Sequence, residues 1–442
     1  MEHVIAARAQ MGTSLAFHIV FAALGVGLPL LVCIAEGLWL RTRDRTYYDL
    51  ARVWAKGMAI LFAVGAVSGT ILSFELGLLW PEFMKYAGGI IGLPFSLEGF
   101  AFFIEAIFIG LYLYGWEKLS PRMHWLCALP IVISGPFSAA FITMANAWMQ
   151  MPTGFRIVGG HVTDVQPLVA MFPKPWATEV VHSTLAAYVF TSFAVAAVCA
   201  VAWLRGDRRA VVTRGIAIAM TLGAIALPVQ MVVGDVAARF VAENEPAKFA
   251  AMEAVYHTRS HAPITIGGIP LSDHIVGAIE IPDLLSDLVA FTPDYVVTGF
   301  DRIAADDRPP IAATHLSFDA MVGSASVLTL VVLAWLFTLL RKIPLARPLG
   351  IGIALGAPLA LVALEAGWFV TEFGRQPWIA RGLLRTSDAV TVAPGIDVQF
   401  YGFSFIYVVL AAMTWWLLRR VDHFNAPSLR RETAAGGAAA AS

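Results

Sequence analysis

LGIGIALGAPLALVALEAGWFVTEFGRQPW, residues 349–378, is an apolar run that ends on a carboxylate, an arginine and a proline turn. Its apolar part, 348–372, is long enough to cross about 30 Å of hydrocarbon as a helix. Glu372 closes the run, with Gly367 and Trp368 just before it and Arg375 and Pro377 just after. A carboxylate in that position is costly unless a metal, a cation or water partners it. The fold follows from the run, and the function from its partner.

Similar runs recur along the chain, at 13–40, 57–80, 91–116, 125–150, 181–204, 215–234, 316–340 and 400–418. With 348–372 they predict an all-α integral membrane protein of about nine transmembrane helices in bundles. The composition agrees: 58% of the 442 residues are hydrophobic and 14% charged, too apolar for a soluble protein of two or three domains. All 30 Lys and Arg fall outside the runs, whereas Glu36, Glu75, Glu98, Glu105, Asp319, Glu365 and Glu372 fall inside or at their borders. Acids in the membrane without matching bases signal function by default. For Glu36 and Glu365 the plainer reading is an interfacial, solvated carboxylate. Eighteen of the basic residues sit in the connections at 41–56, 117–124, 205–214 and 341–347 and in the C-terminal tail. The basic bias therefore puts the N-terminus outside and the C-terminus in the cytoplasm. The start lacks the basic stretch of a cleavable signal peptide, so the first helix is expected to be retained.

Four segments result. Residues 1–234 hold helices one to six, 235–315 form an outer-side loop, 316–420 hold helices seven to nine, and 421–442 form an Ala/Gly-rich cytoplasmic tail expected to be disordered. The loop carries twelve acids against five bases. Its length predicts a folded or functional insert, with a short amphipathic helix over 246–256. Cys33, Cys127 and Cys199 lie far apart in sequence, and neither a disulfide nor a cysteine metal site is expected. No nucleic-acid partner is expected.

With this topology, His18, Glu75, Glu98, Glu105, His182, Met321 and Glu372 share the outer half of the membrane. Glu98 and Glu105, seven residues apart, stack on one helix face about 10 Å apart along the axis. Such a pair suits a proton relay, and equally a pair of carboxyls bonded to a neighbouring helix. A histidine within a membrane helix is a candidate heme ligand, although a lone one is more often a hydrogen-bonded interior residue. A methionine alone carries no weight among the 14 present. His with Met makes a six-coordinate iron suited to electron transfer, and a single protein ligand leaves a face for oxygen.

Six strings carry a resemblance: QMGTSLAFH (10–18), EGFAFFIE (98–105), ANAWMQMPTG (145–154), PAKFAAMEA (246–254), FDAMVG (318–323) and GWFVTEFGRQPW (367–378), together with His182. Over residues 1–420 the chain resembles subunit I of the cytochrome bd-type quinol oxidases, in the short-loop form shared with cyanide-insensitive oxidases. The resemblance implies that His182 and Met321 are axial ligands of heme b558. It implies that His18 and Glu372 serve the high-spin pair, hemes b595 and d, with the division between those two left open. Some short-loop relatives hold little or no heme d, so the third heme is d or a heme b in its place. Glu98 and Glu105 match carboxylates of proton delivery, and Lys248 and Glu253 match loop residues of quinol binding and oxidation. Arg375 matches a heme propionate partner, and Trp368 a neighbour of the high-spin pair. Asn146 and Glu75 match polar positions without a firm role.

The implied protein is a terminal oxidase in the bacterial cytoplasmic membrane. It oxidises quinol at the outer loop and reduces O2 to water with cytoplasmic protons. It is paired with a second membrane subunit (subunit II) and often with a small single-helix one. The ten histidines contain no adjacent pair, against a heme-copper oxidase, and no span holds two, against a bis-histidine cytochrome b. The rival from another class is a proton-coupled transporter using Glu98 and Glu105, which calls for helices interrupted at the midplane.

Overall fold

The computed structural model describes residues 3–421. Among them, nine helices are long and apolar enough to cross a membrane. We label these α1 (His3–Thr42), α2 (Arg45–Leu79), α3 (Pro81–Gly115), α4 (Pro121–Gln150), α5 (Trp176–Leu204), α6 (Ala210–Asn244), α7 (Ile311–Arg341), α8 (Arg347–Arg375) and α9 (Ile396–Arg420). Local chemistry sets their ends. Asp44 caps α2 by accepting from the Thr46 amide at 2.9 Å, and prolines open α3 and α4 where an amide proton is not needed. At 35 residues, α2 is about 52 Å long, well beyond the hydrocarbon core. Arginines at the ends of α9 lie over neighbouring indoles, Arg419 over Trp415 at 4.5 Å and Arg420 over Trp416 at 3.9 Å. Arg45 lies over Tyr48 at 4.2 Å. These basic–aromatic pairs suit a membrane boundary.

The helices form two four-membered groups. Helix α1 packs on α2 and α4, and α3 on α2 and α4; in the second group α5 packs on α6 and α8, and α7 on α6 and α8. The seam is made mainly by α5 against α1 and α4. Thr191 of α5 donates to Ala23 O of α1 at 3.0 Å, and a methyl group at Gly27 would overlap Thr191. Small residues let the backbones approach, as dispersion-driven packing in lipid requires. Helix α9 leans mainly on α1 and α2 and exposes Tyr401, Phe405, Val408 and Trp415.

Helix α6 continues to Asn244 rather than ending at 234, so the outer segment starts ten residues later than the hydropathy suggests. Its last turns are polar but helix-forming, and the helix stops where Pro246 starts the short helix Pro246–Met252. That short helix ends earlier than expected, because Ala254 turns to a positive φ of 51°. The insert is folded: Phe249, Val255, Leu285, Val297 and Phe300 form a small core of its own. Apart from Val421, the expected tail lies outside the described residues.

Glu36 corrects the interfacial reading. It is fully buried, accepting from Tyr112 Oη at 2.7 Å, with His124 Nδ1 at 2.7 Å on its other oxygen. His124 Nε2 in turn lies 2.8 Å from the Tyr112 carbonyl. A cluster from three helices, invisible to a hydropathy window, holds the carboxylate. The three cysteines are free.

Candidate functional site

A cavity of about 1620 Å³ runs between the two helix groups and up to the insert. It exceeds the usual size of a small-molecule site, roughly 300–1,000 Å³. All ten residues singled out above line it: His18, Glu98, Glu105, His182, Lys248, Glu253, Met321, Trp368, Glu372 and Arg375. Glu75, expected at the same level, does not; it is buried and accepts from Gln10 Nε2 at 3.0 Å.

Several of the residues face glycines on neighbouring helices, Lys248 against Gly374 of α8 and three of the candidate iron ligands among them. A methyl carbon at Gly69 of α2 would lie 2.9 Å from the His18 ring. One at Gly234 of α6 would lie 3.3 Å from the ring of His182, and one at Gly367 of α8 would lie 3.0 Å from Met321 Sδ. Each soft or nitrogen donor therefore sits in a cradle that any larger residue would fill. His18 Nδ1 is 2.9 Å from Ser68 Oγ, which fixes one ring nitrogen and leaves Nε2 for another partner. The two nitrogens of His182 meet only the Gln230 amide, at 3.2 and 3.3 Å.

Helix α8 places Glu372, Arg375 and Trp368 on the cavity. Buried Arg375 donates from Nη2 to Glu372 Oε2 at 2.7 Å and from Nη1 to Asn146 Oδ1 at 2.9 Å; its Nε has no protein acceptor. The indole N–H of Trp368 is likewise buried without one. On α3, Glu98 accepts from Ser138 Oγ at 3.2 Å, and Glu105 lies buried two turns further along. Lys248 comes from the short helix of the insert and Glu253 directly follows it, both nearly inaccessible to solvent. Lys248 Nζ is 3.5 Å from Glu245 Oε2. Burial, and then the charge of Asp319, push the Glu253 carboxyl up to about 8.

Two further carboxylates belong to this wall. Glu179 accepts from Asn146 Nδ2 at 3.0 Å, and Glu245 is shared between Lys248 and Arg381, whose Nη1 is 3.9 Å away. The sequence reading singled out neither, since Glu179 falls two residues before an apolar span and Glu245 is one of the twelve acids of the outer loop. Their signal was spacing: Glu179 precedes His182 by one helical turn, and Glu245 precedes Lys248 by the same interval.

The donors stand singly rather than clustered around one point. Among the described residues, no three His, Cys, Asp or Glu side chains converge on one point. Single donors in glycine cradles, beside partnerless Arg and Trp N–H groups, fit a metal that brings its own equatorial ring and acidic substituents.

Residues 6–424 match the family described as cytochrome bd terminal oxidase subunit I. A Bacillus subtilis (strain 168) protein named for a cytochrome bd menaquinol oxidase subunit I is 37% identical, covering 95% of this chain and 96% of its own. The cytochrome bd-II ubiquinol oxidase subunit 1 of Escherichia coli (strain K12) is 30% identical, covering 86% and 88%. The structure of the bd oxidase from Geobacillus thermodenitrificans superposes with a TM-score of 0.91 at 37% identity, over 96% of this chain and 99% of that one.

Proposed function

The chain belongs to the cytochrome bd terminal oxidase subunit I family, and from that premise we propose that it oxidises a membrane quinol beside the insert and supports reduction of O2 to water within the cavity. The family binds hemes and works with a subunit II, and the nine apolar helices make this a multi-pass membrane protein. The observation that carries the reading is the continuity of the cavity, which joins Lys248 and Glu253 to the four candidate iron ligands.

In this reading His182 and Met321 hold heme b558, and His18 and Glu372 hold the high-spin pair, b595 with d or with a second b. Bound there, the hemes would supply one-electron transfer and the oxygen chemistry. The protein's own residues do the rest. Lys248 orients the quinol head, and Glu253 takes its proton. Arg375 neutralises an acidic heme substituent while holding Glu372 in place. Glu105 and Glu98 hand protons from the cytoplasmic side towards the oxygen site. The N-terminus lies outside and the C-terminus in the cytoplasm of a bacterial inner membrane, with the insert between α6 and α7 as the quinol segment and a small single-helix subunit as a further partner. The transporter alternative calls for broken helices; α3 and α4, which carry Glu98, Glu105 and Ser138, are continuous.

The absorption spectrum of the purified complex tests the reading. A Soret band with a low-spin b signal that disappears in His182→Ala is expected. A protein without a Soret band, or a signal that survives that substitution, would overturn it. A far-red reduced band distinguishes heme d from a second b, and turnover with menaquinol and ubiquinol assigns the quinone.

A further inference from the structure

The insert contains a two-stranded ribbon, ITIGGIPLSDHIVGAIEI, residues 264–281. Ile264 pairs with Ile281, Thr265 with Glu280 and Ile266 with Ile279; beyond a kink, Ile269 pairs with Val276. Gly267, Gly268 and Gly277, all with positive φ, make that kink. Side chains alternate across a ribbon, so Ile264, Ile266, Ile279 and Ile281 share one face, and Thr265 and Glu280 the other. Ile266, Ile269, Val276, Ile279 and Ile281 are between 40% and 67% exposed. Branched aliphatic side chains set side by side in this way rarely face water without a reason.

The ribbon's anchorage indicates what covers it. Gly267 N donates to Asp319 Oδ2 at 2.7 Å, and Gly267 O lies 3.1 Å from His315 Nε2. Both partners belong to α7, at the loop-side end of its membrane-crossing stretch. The strand Ile269–Pro270 packs on the same helix, whose Leu316 is itself exposed on the face that carries exposed Val327 and Leu330 further along. The isoleucine face therefore continues the lipid-facing surface of α7 at the level where hydrocarbon gives way to headgroups. The polar side carries Glu280, and the turn carries Asp273 and His274, all exposed. Two open strand edges cannot enter hydrocarbon, because their amides and carbonyls need water or headgroups. An amphipathic element of this kind lies in the boundary plane.

We propose that ribbon 264–281 rests its exposed isoleucines on the lipid leaflet at the loop-side ends of the helices, with Glu280 and the turn at Asp273 and His274 in water and Thr265 buried against the protein. The claim concerns lipid contact and does not depend on the assignment of quinol or heme.

The test uses the complete oxidase in lipid nanodiscs, with Cys127→Ser to silence the one thiol of this chain that is not buried and any reactive thiol of the partner subunit replaced likewise. Ile279→Cys and, in parallel, Val276→Cys are labelled with a small fluorophore and compared with Glu280→Cys. Lipids carrying a doxyl group near the carbonyl should quench the labels at 279 and 276, and iodide should quench them several-fold less than the label at 280. Equal iodide quenching at 279 and 280 would show a ribbon standing in water. Protection at 279 from both quenchers would show a protein partner on that face. Either result overturns the proposal.

Discussion

Glu253 offers a sharp perturbation because its environment fixes both a direction and a size. Its carboxyl is pushed from the usual 4.5 up to about 8, by burial first and by Asp319 second. A carboxylic acid with a raised folded pKa keeps a proton that the unfolded chain releases. Folding therefore loses stability as the pH climbs from 4.5 to about 8, and no more above it, to a total on the order of 5 kcal/mol. For turnover the sign is the opposite, since only the ionised carboxylate can take a proton from quinol. About one-tenth of the sites are ionised at pH 7 and about half at pH 8, so kcat/KM for quinol should rise about fivefold over that unit. The assay is steady-state quinol oxidation at saturating O2 between pH 6 and 9. Glu253→Gln should flatten this limb and lower activity at pH 8. The same substitution should raise the unfolding midpoint at pH 9 while leaving it unchanged near pH 4. Asp319→Asn, which removes the second cause, should move the limb to lower pH. A limb that persists unchanged in Glu253→Gln would refute the role of this carboxyl.

Gly367→Ala sets a methyl carbon 3.0 Å from Met321 Sδ, closer than the roughly 3.5–4.0 Å of ordinary contact, and should weaken the low-spin signal in a reduced-minus-oxidised spectrum. A normal spectrum would separate the Met321 sulfur from iron. His124→Ala leaves Glu36 buried without its nitrogen partner and should destabilise the protein by about 3 kcal/mol, read as a lower unfolding temperature in detergent. Lys248→Ala should raise KM for quinol with every heme still bound; unchanged kinetics would remove Lys248 from the quinol site. Glu105→Ala should slow O2 reduction more than it lowers heme content, and normal turnover would leave Glu105 a packing residue.

Much of this molecule could be read from hydropathy and spacing. The nine long helices among the described residues follow from twenty-residue apolar runs, because lipid leaves the backbone few other choices. Five of the ten candidate site residues, His18, Glu98, Glu105, His182 and Glu372, were legible for a different reason: charged and histidine side chains in such runs are too costly to be incidental; Met321, Trp368, Arg375, Lys248 and Glu253 stood out only through the family resemblance. What escaped was settled by neighbours distant in sequence. Glu36 looks interfacial until His124 and Tyr112 are placed around it, and their pairing spans 76 to 88 residues. Glu179 and Glu245 look like ordinary residues at helix ends, and only the approach of Asn146, Lys248 and Arg381 draws them into the wall. The ribbon in the insert could not be foreseen either, since its isoleucines alternate over too few residues to stand out from a short loop.

The seam between the two helix groups bears on how the protein matures. His182 and Met321 both come from the group α5–α8, so that group alone contains the complete pair proposed for the low-spin heme. His18 belongs to the group α1–α4, and Glu372 to the other, so their shared chamber exists only once α5 has docked on α1 and α4. Under the proposed assignment, cofactor loading would follow an order: one heme could be captured by a half-assembled chain, and the high-spin pair only by a closed one. Once in place, they would act as a clasp across the seam, resisting its separation by as much as their binding favours the joined state.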